Sequence, residues 1–266
     1  MVSVRGHPFE RDPFEAIFQD MASISVTFVD QPASVELMTP KGLAPYQALV
    51  LYDMPGIDFA HGDQPGFVEP PDALVSGLTA ALDRGIGVLA LHHAIAGWPA
   101  WPDYGEWLGG KFCYRPMEIR GKLQPDSGYR HDITHMIHIA KDLPEPLSPL
   151  LTGLPETFEL TDELYLAPVL ERDVFPLLRS DYTFTEDNFH SASRAVRGDM
   201  FSRKGWAHPP GSNLVGWVKR ARNSPLVYLQ PGDGPATYAN PQFRKLVENA
   251  LRWAASDIAH DWASQP

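Results

Sequence analysis

The apolar run Ile86-Gly-Val-Leu-Ala-Leu91 follows Gly85 and stops abruptly at two adjacent imidazoles, His92 and His93. A segment this short and this uniformly apolar reads as a strand buried on both faces, as in a parallel sheet covered by helices. The chain before it agrees. Ala48-Leu-Val-Leu-Tyr-Asp53 is a second such run ending in a carboxylate. Between the two, Asp72 to Arg84 carries Leu74, Val75, Leu78, Ala81 and Leu82 as one helical stripe, with Gly85 as its stop. This β-helix-β order argues for parallel strands with right-handed crossovers, the doubly wound α/β class.

Other segments extend that frame into a single domain over residues 1–266. Val2 and Val4 suggest a short first strand, Phe14 to Phe18 has helical spacing, and Ile24 to Val29 alternates as a strand. Met54 to Pro71, with Asp58, His61, Asp63 and Glu69 among its Gly and Pro residues, reads as a loop over a pocket. His131 to Ile139 alternates, and extended stretches follow at Phe158 to Leu166 and Val174 to Leu178, which predicts an antiparallel extension of the sheet. Asn213 to Lys219 and Leu226 to Leu229 read as adjacent strands with a turn over Arg220 to Pro225. Asn240 as cap and Pro241 at the first position open a last helix, whose stripe is Phe243, Leu246, Val247, Ala250, Leu251 and Ala254.

Composition narrows the partners. Lys and Arg number 22 against 33 Asp and Glu, and a net charge of −11 opposes binding to a phosphate backbone, so no nucleic acid is expected. Cys113 is the one cysteine, which excludes an internal disulfide and a Cys-based zinc site. No run approaches the roughly 20 apolar residues of a membrane span, and Met1 to Arg11 lacks the apolar middle of a signal peptide. A cytoplasmic protein is expected, which could associate with further copies of itself in a homo-oligomer.

Open α/β sheets keep their ligands at the carboxyl ends of the strands, which makes His92, His93 and Asp53 candidates. Imidazoles there serve as acid, base or metal ligand, although strand alternation would turn only one of the pair toward a pocket. Trp98, Trp101 and Tyr104 suit the apolar face of a sugar ring, or equally a loop packed on the sheet. Asp162 and Glu163 could orient a histidine or ligate a metal, or simply be solvated. The Gly-rich turn carrying Asp233 and leading to Tyr238 could hold an oxygen-rich ligand or merely connect two elements. Strand parity sets His138 apart from His131 and His135, so that trio is not expected to bind a metal. Cys113 reads as a small buried thiol.

Several of these stretches occur together in a known family. Gly87-Val-Leu-Ala-Leu-His92-His93-Ala-Ile-Ala-Gly-Trp98-Pro-Ala-Trp101, Thr152-Gly-Leu-Pro-Glu156, Asp162-Glu163-Leu-Tyr165 and the ending from Tyr238-Ala-Asn-Pro241 to Trp253-Ala-Ala255 resemble the trehalose-utilisation, ThuA-like family. The likeness runs from about His7 to Ala255. It implies a glutamine-amidotransferase-like, flavodoxin-related fold without the usual cysteine nucleophile, and a link to sugar catabolism. His92 and His93 match the family's paired histidines, Trp98 and Trp101 its aromatic loop, Asp162 and Glu163 its acidic motif, and Gly6-His7-Pro8-Phe9 the loop after its first strand. Asp233 stands where the family often has histidine. The expectation is a hydrolase, lyase or isomerase acting on a sugar or keto-sugar, rather than a glutamine amidotransferase. His92 or His93 would be acid/base or ligand to a divalent metal such as Zn²⁺, with Asp162 or Glu163 as partner. The alternative is a catalytically silent sugar-binding or assembly protein.

Overall fold

The structure, a computed structural model, describes residues 1–59 and 65–265. Its centre is a 10-stranded sheet. In chain order the strands are β1 (Val2–Arg5), β2 (Phe28–Asp30), β3 (Ala48–Asp53), β4 (Gly87–Leu91), β5 (Gly128–Ile139), β6 (Thr157–Leu166), β7 (Phe175–Ser180), β8 (His190–Ser191), β9 (Leu214–Ala221) and β10 (Ser224–Leu229). Their spatial order is β6-β5-β7-β9-β10-β4-β3-β1-β2, with β8 on β5. From β10 to β2 every pairing is parallel; from β10 through β9, β7 and β5 to β6 every pairing is antiparallel.

The parallel half is apolar on both faces because each face has its own cover. Val50, Tyr52, Leu89, Leu91, Val227 and Leu229 join the core that includes Phe243, Leu246, Val247 and Ala250 of helix Pro241–Ala254. Their neighbours in sequence, Leu49, Leu51, Val88, Ala90, Leu226 and Tyr228, join the core on the other side with Leu74, Leu78, Ala81 and Leu82 of helix Asp72–Arg84. Alternation by one residue thus feeds two separate cores. Gly85 ends helix Asp72–Arg84 at φ 89, as expected of a C-terminal stop, and Asn240 caps helix Pro241–Ala254 by accepting from the amides of Gln242 and Phe243. That helix is not the last, as expected from sequence, because Ser256 caps a further one over Asp257–Ser264. Among the described residues no helix is long and apolar enough to cross a membrane.

Three further expectations change. Of Ile24 to Val29 only the end is strand, because β2 meets the sheet solely through Val2↔Phe28 to Val4↔Asp30; Ile24 and Val26 pack on the core without pairing. The β9–β10 turn is tighter than Arg220 to Pro225, since Ala221 already pairs with Ser224. In the segment read as a loop, Ile57–Asp58 pairs with Gly66–Phe67, while His61 and Asp63 lie outside the described residues.

Gly87 starts β4 against the end of helix Pro241–Ala254, where a Cβ would come 2.3 Å from the Ala254 carbonyl oxygen. Gly87→Ala should lower the unfolding free energy by roughly 1–3 kcal/mol; an unchanged urea midpoint would contradict this close approach. In β5, His135 is buried with Nδ1 2.8 Å from Ser180 Oγ, and burial lowers its pKa from 6.5 to about 4. The folded state therefore binds fewer protons than the unfolded chain between these values, so this residue's share of stability is lost as pH falls from 6.5 through about 4. Replacing it by His135→Gln should shrink the loss of stability between pH 7 and pH 5, measured as the shift in urea midpoint.

Candidate active site at the carboxyl rim of the sheet

At Leu91 the strand gives way to a 3-10 turn over His92–Ala96, and His92 takes φ 38, a left-handed conformation uncommon for a non-glycine residue. The turn removes the alternation that a continuing strand would impose. Both imidazoles reach the same site, with ring centroids 4.4 Å apart and planes at 82°. Of the two, His93 lines the cavity, whereas His92 is fully buried and anchored to the Gln230 carbonyl, so the expected division of labour holds although strand alternation is not its cause.

The second contribution comes from the β5–β6 hairpin. Asp162 pairs with Ile133 and Leu164 with Arg130, so that His131 and Asp132 together face Glu163: a β-bulge, with Asp132 at φ 55. The bulge breaks strand parity where it matters. Asp162 and Glu163, neighbours in sequence, both serve the site, and His131 joins them while His135 lies buried against Ser180 and His138 is exposed. Of the three histidines in this strand only His131 reaches the site, and it was not among the residues singled out for it from sequence. An extra residue in a strand leaves no mark on the apolar pattern.

Glu163 bridges two imidazoles: Oε2 lies 3.1 Å from His92 Nε2, and Oε1 3.4 Å from His131 Nδ1. Asp233 faces three, with Oδ1 at 3.6 Å from His92 Nε2 and 3.7 Å from His93 Nε2, and Oδ2 at 3.8 Å from His131 Nδ1. His92 is further fixed by the Gln230 carbonyl oxygen at 2.5 Å from Nδ1, by the Tyr165 hydroxyl at 2.7 Å from Nε2, and by stacking on the Tyr165 ring at 4.6 Å. Neither Gln230 nor Tyr165 was singled out from sequence; a glutamine closing an apolar strand before Pro231-Gly232 was the available signal. His7, after β1, stacks over His93 with centroids 4.1 Å apart. Asp162 stands behind this layer and accepts from the amides of Gly232 at 2.6 Å, Asp233 at 2.9 Å and Glu163 at 2.9 Å.

The electrostatics split the histidine pair. Burial pulls His92 down, but its bond to Glu163 and the charges of Asp233, Glu163 and Asp162 outweigh that and raise its pKa to about 9. Burial also pulls His93 down, and there the neighbouring imidazoles of His92, His7 and His131 add to the effect, so its pKa falls well below 6.5. Contact with Asp233 lifts His131 against its partial burial. Burial pushes Asp162 up to about 6, opposed by His92 and by the amides it accepts from. Buried His93 Nε2 has no hydrogen-bond partner among the described residues. Two sets of ligand atoms, His92-His93-Asp233 and His131-Glu163-Asp233, each lie within 4.8 Å of one another, a geometry suited to a metal ion.

Of these groups His7, His93, His131, Glu163 and Tyr165 form the floor of a cavity of about 420 Å³, and His92, Asp162 and Asp233 are not among its lining residues. The other sequence candidates lie elsewhere. Trp98, Trp101 and Tyr104 are buried in the core beside helix Asp72–Arg84, Trp101 stacking on Tyr104 at 5.9 Å, because Pro-broken chain folds them onto the sheet. Asp53 is buried at the end of β3, accepting from Ser3 and Gln31 and so tying β1 and β2 to β3. Tyr238 is buried behind the Gly232 turn, its hydroxyl 2.5 Å from that of Tyr52. Cys113 is buried, and burial raises its pKa to about 11, so the thiol stays protonated.

Comparison with known proteins agrees with this architecture. A ThuA-like protein from Parabacteroides merdae superposes with a TM-score of 0.62 at 15% identity, over 96% of this chain and 89% of that one. A ThuA-like protein from Bacteroides uniformis gives 0.60 at 15% identity, over 96% and 90%. A cytoplasmic protein from Salmonella typhimurium gives 0.52 at 9% identity, over 91% and 84%. At these identities the likeness establishes the fold. No curated protein matches the chain. The profile of the ThuA family, described as trehalose utilisation, matches residues 6–254 and so takes in every element of the rim, and the chain belongs to that family.

Proposed function

We propose that the chain is an enzyme of sugar catabolism that carries out acid/base chemistry on a neutral sugar or keto-sugar, with a divalent metal such as Zn²⁺ held by His92, His93 and Asp233. The observation that carries this reading is His93 Nε2: a buried nitrogen without a partner, 3.7 Å from a carboxylate oxygen, on a residue that lines the cavity. A neutral imidazole there offers a lone pair, and two imidazoles with a carboxylate are a donor set suited to zinc and similar ions. A bound ion would supply Lewis-acid polarisation of a substrate oxygen.

The surrounding residues have separable tasks. His131 is half-buried on the cavity wall between Glu163 and Asp233, which suits it to take and return a proton. Glu163 orients both His92 and His131, as second partners of ligating or proton-carrying imidazoles do. Asp162 positions Asp233 through the backbone of the turn and does not line the cavity. Phe112, Tyr114 and Tyr165 line the same space and exclude water from the floor.

Protein purified without chelator or metal-affinity tag should contain about one equivalent of ion by elemental analysis, and His93→Ala should lose it. The proton on His92 and a ligated ion are mutually exclusive, so apparent zinc affinity should climb with pH until about 9 and flatten above; an affinity independent of pH between 6 and 9 would remove His92 from the ligand set. With trehalose and its keto form as substrates, His131→Gln should reduce turnover by about 10²–10⁴ at unchanged thermal stability. Tight binding with no product over hours, by calorimetry and product analysis, would instead identify a silent sugar-binding protein.

A further inference from the structure

Among the described residues the cavity has few polar lining side chains. Besides His7, His93, His131 and Glu163, the side chains that line it are aromatic, aliphatic or methionine. Three of the lining residues are tyrosines whose hydroxyls already have partners in the protein: Tyr114 donates to the Ala96 carbonyl at 3.2 Å, Tyr129 accepts from the Phe201 amide at 2.8 Å, and Tyr165 meets His92 at 2.7 Å. No lysine or arginine is among the described lining residues. The aliphatic and methionine part of the lining includes Met54, Ala192, Ala195, Val196 and Met200, four of them from the one segment Ala192–Met200, and Met200 remains 48% exposed.

A sugar hydroxyl buried against such a wall would lose its water without gaining a partner. Among the described lining residues a phosphate would find no lysine or arginine to pair with. An apolar group, by contrast, would gain from covering Val196 and Met200. We propose that the ligand of this cavity is a glycoside of two unlike halves, in which one neutral sugar ring engages the imidazole and carboxylate floor and an aromatic or alkyl aglycone lies along the Ala192–Met200 wall. This rests on the sugar-processing reading above and adds the class of substrate, an apolar glycoside in preference to a free disaccharide or a sugar phosphate.

Calorimetry of the intact protein with phenyl β-D-glucopyranoside and methyl β-D-glucopyranoside tests the proposal. The phenyl compound should bind roughly tenfold or more tightly. Met200→Gln and Val196→Asn, both outside the histidine-carboxylate floor and neither fully buried, should each erode that ratio and leave the methyl glucoside unaffected. Equal affinities for the two glucosides, or a ratio untouched by both substitutions, would overturn the apolar-aglycone assignment and leave the sugar reading standing. Failure of both glucosides to bind would overturn the two together, and glucose 6-phosphate binding as tightly as the phenyl glucoside would refute the exclusion of phosphate.

Discussion

The site depends on one buried carboxylate. Asp162 accepts from the amides of Glu163, Gly232 and Asp233, and so fastens the β6 strand to a turn 70 residues away in sequence. In the sheet order β5, β7 and β9 lie between β6 and β10, yet the second half of β6 returns to the end of β10, where the Tyr165 amide donates to Gln230 Oε1 at 2.9 Å. Amide hydrogen bonds to an ionised acceptor are among the stronger ones a protein makes. Without this clasp neither Glu163 nor Asp233 would have a reason to stand beside His92.

Once the hairpin is folded over the rim, two residues of identical chemistry acquire opposite characters. His92 lies among carboxylates and retains a proton to about pH 9; His93 lies among imidazoles and gives its proton up well below the ordinary value. The surrounding charges, rather than burial, account for the difference, because both rings are buried. Separation of two neighbouring titratable groups in this way is how a site comes to hold an acid and a base at one pH. The same carboxylates that hold a proton on His92 also bring together the donor atoms of His92, His93 and Asp233, a set whose geometry could hold a metal ion.

Much of the scaffold was legible in the pattern of side chains. The runs 48–53 and 86–91, the stripe of helix Asp72–Arg84 and the Asn240-Pro241 start could be read directly, since burial on both faces and helical periodicity are local properties. The position of His92 and His93 at the carboxyl end of a central strand followed from the same reading. Trp98, Trp101 and Tyr104 show where local reading failed: aromatic side chains that suit a sugar also suit a core, and only packing distinguishes the two. His131 failed in the other direction, because parity arguments hold until a bulge intervenes.

The sequence by itself determined a parallel α/β sheet, its crossover helix, the capped helix after Asn240 and a pair of imidazoles at the strand ends, because each of these follows from interactions within about one element's length. Only the tertiary structure decided that Glu163, Asp233 and His131 surround that pair and that the tryptophans turn away. These features arise from contacts between residues some 30 or more positions apart, and such contacts are specified by the bulge and the Asp162 clasp rather than by any periodicity along the chain.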